Sequence, residues 1–107
     1  MRISFSDNET RRMFNDYGLL EAQFGPELAV RIATRLAVLA AARDLGRVPR
    51  RPPIRLRPTG GGRGRFAVDL APARRLLFTA SVVRGRNGEE RDVDEALVEE
   101  IEVSGVE

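Results

Sequence analysis

Two apolar spacings divide the chain. From Met13 to Leu39 the large apolar residues recur every three or four positions, and from Ile54 to Phe78 they recur every second position. Before the first block, Ile3 and Phe5 alternate with Arg2 and Ser4 and predict a short strand. Ser6, Asp7, Asn8 and Glu9 then read as a capping box, with Ser6 at the N-cap and Glu9 at N3. Met13, Tyr17, Leu20 and Phe24 form one helical stripe, which predicts a single helix with Tyr17 in the core. Gly25-Pro26 closes that helix and opens a second, because glycine suits the position after a C-cap and proline the first turn of a helix. Leu28, Ile32, Leu36 and Leu39 carry the second helix toward Gly46. Two helices joined by so short a corner form an antiparallel hairpin.

The prolines of Arg47–Pro53 remove donors and force extended backbone, so the helix cannot continue. Three strands are expected beyond them: one through Ile54 and Leu56, one through Phe66, Val68 and Leu70, one through Leu76 and Phe78. Pro58–Gly62 and Ala71-Pro72-Ala73 are the turns between them, and Asn87-Gly88 is a further turn signal. Glu99–Val103 reads as a last strand, although Leu97, Val98 and Ile101 equally suit a short helix. The fold class is α+β: an N-terminal strand and a two-helix hairpin packed on a small, mainly antiparallel sheet, as one domain over residues 1–107.

The glycine-rich stretch Arg55–Phe66, RLRPTGGGRGRF, sits between two of the expected strands and is therefore a hairpin loop before it is a disordered tract. A phosphate cradle of the P-loop kind needs a helix after the glycines, and a strand follows here.

Composition narrows the chemistry. The chain has no Cys and no His, which excludes disulfides, thiolate metal sites and imidazole acid–base groups. No metal or cofactor is expected, and the absence of a long apolar run or a signal-peptide core predicts a cytoplasmic protein without a membrane partner. Every basic residue is Arg. The net charge of +2 conceals a sorted distribution: ten arginines against Asp44 and Asp69 between Arg43 and Arg75, then nine acids against Arg91 from Glu89 to Glu107. A basic block of this size is a footprint for phosphate or an acidic partner, the alternative being a solvated surface.

Strand parity sharpens the reading. If Ile54, Leu56, Phe66, Val68, Leu70, Leu76 and Phe78 face the helices, then Arg55, Arg57, Arg63, Arg65 and Arg75 face the other way and make an arginine platform. Such a face repels itself unless an anion crosses it or the acidic C-terminal segment covers it. Asp69 shares this parity and is the nearest candidate base, or else a carboxylate paired with its arginines.

Three stretches carry a family resemblance: AQFGPELAVRIATRLAVLAAARDL (Ala22–Leu45), GRFAVDLAPARRLLF (Gly64–Phe78) and VEEIEVSGVE (Val98–Glu107). In this order they resemble the RelE/ParE superfamily of toxin–antitoxin toxins, in particular its HigB-like, plasmid-maintenance-killer branch. The first is similar to that branch's phenylalanine-glycine corner, the second to its "G-x-F-S-V-D-L…Y-R-L-I-F" hairpin, the third to its closing strand. The resemblance implies a RelE-like fold and a ribosome-dependent messenger-RNA endoribonuclease restrained by an antitoxin with a helix-turn-helix domain. On that reading Arg55, Arg57, Arg63, Arg65 and Arg74 hold RNA, and Arg57, Arg75 and Asp69 are the candidate catalytic residues. The chain departs from the branch at its acid–base groups. Arg57 or its neighbourhood replaces a histidine, Arg74 replaces the tyrosine before Arg75, and Glu107 stands where Asp-Tyr-His closes the family pattern. Arginine stays protonated at any working pH and shuttles protons poorly. A non-catalytic binding protein of the same fold, degenerate, truncated or directed at a protein target, is therefore the alternative, with an acidic partner segment expected near Arg55–Arg75.

Overall fold

The computed structural model describes residues 1–60, 64–80 and 94–107. Arg63 and the expected Asn87-Gly88 turn lie outside them. The element order is β1 (Arg2–Phe5), α1 (Asn8–Asn15), α2 (Tyr17–Phe24), α3 (Pro26–Ala41), β2 (Arg57–Pro58), β3 (Arg65–Ala71), β4 (Arg74–Ala80) and β5 (Glu100–Val106), with 3-10 turns at Leu45–Arg47 and Glu95–Leu97. The five strands form one mixed sheet in the order β1-β5-β4-β3-β2. Pairing is antiparallel except for β1, which runs parallel to β5. A small α+β architecture with an N-terminal strand, helices and a mainly antiparallel sheet is thus what the chain adopts.

The core lies between the helices and one sheet face. Phe66, Val68 and Leu70 of β3, Leu76 and Phe78 of β4, and Ile101 and Val103 of β5 are buried there, against Phe14, Leu20, Ala29, Ile32 and Leu39 of the helices. Strand alternation sends these side chains to one side, and their removal from water is the main force holding sheet to helices. Phe66 and Phe78 are cross-strand partners whose rings stack at 6.1 Å.

The helical half differs from the sequence expectation. Ser6 is not the cap: its N–H still donates to Val103 O at 3.0 Å, in the β1–β5 ladder. Asp7 caps α1 instead, its Oδ1 accepting from Thr10 N at 2.7 Å. The expected single helix also breaks at Asp16, which is extended and caps α2 by accepting from Leu19 N. Two strong cap formers, Asn15 and Asp16, meet there and satisfy the backbone better in a turn than in a helix interior. The break takes Tyr17 off the stripe. It is 45% exposed, and Phe14 fills the core position instead, stacked on Phe5 at 5.7 Å. The last helix, α3, stops at Ala41 rather than near Gly46, and the N-terminal ammonium of Met1 donates to the carbonyls of Leu39, Ala40 and Ala42 at its end.

The expected strand through Ile54 and Leu56 is also corrected. Both residues are buried, but the regular pairing is confined to Arg57–Pro58. Prolines at 52, 53 and 58 deny the ladder its donors, so the segment crosses the sheet edge as a bend. Leu56 N donates to Pro49 O at 3.1 Å, and Ile54 O accepts from Asp69 N at 2.8 Å. Leu97 and Val98 form a 3-10 turn and its cap before β5 begins, so the C-terminal segment holds both a helical turn and a strand.

Candidate functional site: an arginine cleft at the end of β3

The far end of β3 is irregular. Asp69 pairs with Arg75 across β4 and Ala71 pairs with Arg74, which leaves Leu70 in a bulge. The Pro72-Ala73 turn that follows holds Ala73 at φ 62, a left-handed conformation that glycine adopts more easily. Near the bulge and the bend before β2, the helix layer supplies donors to two carbonyls of β3. Arg35 Nε donates to Asp69 O at 2.7 Å and Arg31 Nη1 donates to Leu70 O at 3.1 Å. Arg31 and Arg35 stand one helical turn apart on α3, so both reach the same edge. Arg35 is only 8% exposed.

The bend before β2 closes the other side. Arg55 also occupies the left-handed region, at φ 50, and its guanidinium reaches Asp69 Oδ2 at 2.9 Å. Arg57 contacts Asp69 Oδ1 at 2.9 Å, so each carboxylate oxygen has its own guanidinium. On β4, Arg75 pairs with Glu107 Oε1 at 2.9 Å, while the backbones of these two residues exchange hydrogen bonds. The result is a cleft of about 580 Å³ lined by Arg31, Arg35, Arg55, Arg57, Arg74, Arg75, Asp69, Glu107 and the proline turns at 52–53 and 72. Among the described residues, six guanidinium groups and two carboxylates line it.

Five of the residues singled out from the sequence, Arg55, Arg57, Asp69, Arg74 and Arg75, therefore share one cleft. Arg65 does not. It lies in a neighbouring groove of about 450 Å³ with Leu77, Thr79 and Ser104, joined to the cleft through Arg75 and Glu107. The bare arginine platform is corrected to a partly neutralised one, because Asp69 and Glu107 already sit against three of its arginines. Asp69 is a paired carboxylate with both oxygens engaged. Arg31 and Arg35 were not expected, since an i, i+4 pair on a helix reads as a solvated face; the signal was an arginine falling beside the core position Ile32.

Among the described residues no group of His, Cys, Asp and Glu is placed to hold a metal ion, and no buried side-chain nitrogen or oxygen lacks a hydrogen-bond partner. No helix among them is long and apolar enough to cross a membrane. Comparison with protein-family models, curated proteins and solved structures found no match to this chain. This finding corrects the terms that rested on the resemblance. HigB-like toxin, messenger-RNA interferase, endoribonuclease and RNA-binding protein are more specific than the chain supports, and what stands is a small α+β domain with a cationic cleft.

Proposed function

We propose that this chain is a non-catalytic binding domain whose arginine cleft receives an acidic segment of a partner protein. The observation that carries this reading is the excess of guanidinium groups in the cleft, together with the two carboxylates that already occupy part of it. Those internal pairs display the geometry an incoming Asp or Glu side chain would adopt, with charge-assisted bonds of ordinary length. A proton-transfer role is disfavoured: the cleft has no imidazole or thiol, and its one central carboxylate is held by two cations. A nucleic acid is disfavoured by the lining. Single strands are gripped by aromatic side chains as well as by charge, and among the described residues no aromatic lines the cleft.

The order of strand, helices and antiparallel hairpin supports a generic RelE/ParE-like fold as the finer description of the architecture. On that description the acidic segment belongs to an antitoxin. The test is a titration of the chain with a labelled Asp/Glu-rich peptide and, in parallel, with single-stranded RNA, each across a salt series. The peptide should bind with association slowed by salt, and Arg57→Ala combined with Arg75→Ala should abolish most of that binding. Tighter binding of RNA than of peptide overturns the proposal, as does a peptide affinity untouched by the double substitution.

A further inference from the structure

Asp69 is held in the fold by its main chain. Its N–H donates to Ile54 O at 2.8 Å and its carbonyl accepts from Arg35 at 2.7 Å, so the strand keeps its place whatever the carboxylate does. The carboxylate itself is bound by two guanidinium groups that remain open to water, with the Arg55 and Arg57 side chains 52% and 33% exposed. The Asp69 side chain is 21% exposed, and pairs whose cations are this open to water contribute modestly to stability, up to about 1 kcal/mol each. Arg55 is, in addition, poorly suited to its backbone. At φ 50 a residue with a Cβ is strained where glycine is at ease, and the described side-chain bond of Arg55 is the one to Asp69. A position that tolerates strain to present a guanidinium which stabilises little points to a ligand.

We infer that Asp69 is an internal occupant of an oxyanion seat between Arg55 and Arg57, and that the ligand enters by taking its place with two oxygens of a carboxylate or a phosphate monoester. The inference rests on the cleft reading above and deepens it. Each guanidinium holds one oxygen of Asp69 at 2.9 Å, a pattern that fits any anion with two oxygens on one centre. In the same cleft Arg31 and Arg35 donate to main-chain carbonyls, and among the described residues neither forms an ion pair with a carboxylate. That reserve suits a group carrying more than one negative charge, as a phosphorylated side chain does. Displaced Asp69 then competes with the ligand, and the cleft releases it by the same exchange.

The experiment compares wild type, Asp69→Asn and Arg55→Gly by calorimetric titration with two probes, an Asp/Glu-rich peptide and inorganic phosphate, with thermal midpoints recorded for each variant. Asp69→Asn removes the competitor and should tighten binding about five- to thirtyfold, the equivalent of one or two exposed ion pairs at up to about 1 kcal/mol each. Arg55→Gly should weaken binding while leaving the thermal midpoint unchanged or raising it. The probe that gains more in Asp69→Asn identifies the source, phosphate marking a phosphorylated segment and the peptide marking plain carboxylates. A folded Asp69→Asn with unchanged or weaker affinity overturns the inference; so does a fall in midpoint with Arg55→Gly, which would make the pair structural. If Arg57→Ala with Arg75→Ala weakens the peptide yet Asp69→Asn tightens nothing, the cleft reading stands and the seat does not. Failure of every variant to bind either probe overturns both.

Discussion

The two ends of β3 follow different rules. From Arg65 to Val68 the strand is regular, with Phe66 opposite Phe78 and Val68 opposite Leu76, and its alternation delivers Phe66 and Val68 to the core. From Asp69 onward the register slips, two nearby residues stand at positive φ, and carbonyls are satisfied by arginines from a helix. At the first end the side chains are consumed by packing and set the backbone. At the second the backbone is set by prolines, left-handed residues and guanidinium donors, which leaves charged side chains over for a ligand.

The largest effect belongs to the regular end. Phe78→Ala removes a 1% exposed ring stacked on Phe66 and should cost about 3–5 kcal/mol in denaturant unfolding, with little dependence on salt. At the irregular end, Arg35→Ala should cost about 1–3 kcal/mol, because it strips a partly buried carbonyl of its donor. If the loss equals that of Phe78→Ala, the cleft is built as rigidly as the core and the comparison fails. Ala73→Gly should act in the opposite direction. Relief of left-handed strain, about 1–2 kcal/mol, exceeds the added chain entropy of glycine, so the same denaturation experiment should show a gain of about 0.5–1 kcal/mol.

The smallest test separates a charge bonded to backbone in the open from one bonded in the interior. Asp7 lies below its ordinary pKa of 3.8, first because Thr10 N–H bonds its carboxylate. A folded pKa below the unfolded one adds stability that is present above the unfolded value and lost as pH falls through the folded value. The thermal midpoint of wild type should therefore exceed that of Asp7→Asn near neutrality, and the difference should close below the ordinary carboxylate range. A difference that persists in strong acid would mean that the carboxylate's charge is not what caps the helix.

Alternation made β3 and β4 legible in the sequence, because a two-residue period over Phe66–Leu70 and Leu76–Phe78 has one sensible burial. Ile54 and Leu56 show the same period and yet belong to a bend. Burial alone does not make a strand when prolines remove the donors, and Arg55 at φ 50 breaks the extended run between them. The helix break at Asp16 was hidden for a related reason: the spacing of Met13, Tyr17 and Leu20 is helical on either side of a residue that prefers to cap. For the site, parity brought Arg57, Asp69 and Arg75 together correctly, since all three lie on paired strands. It could not bring in Arg31 and Arg35, because which helix face meets a strand edge is a tertiary fact with no local period.

The parallel pairing of β1 with β5 has a consequence for how the chain assembles. Ser4 Oγ donates to Ile101 O across a sequence separation of 97 residues, so β1 has no sheet partner until β5 has been made. The β3–β4 hairpin closes through a two-residue turn and needs no such wait. Contacts of long separation are costly to close and slow to form. The expected order is hairpin first, β5 onto β4, and β1 last. Once docked, β1 is a four-residue edge strand, and its amides should exchange with solvent through local opening before those of β3 and β4.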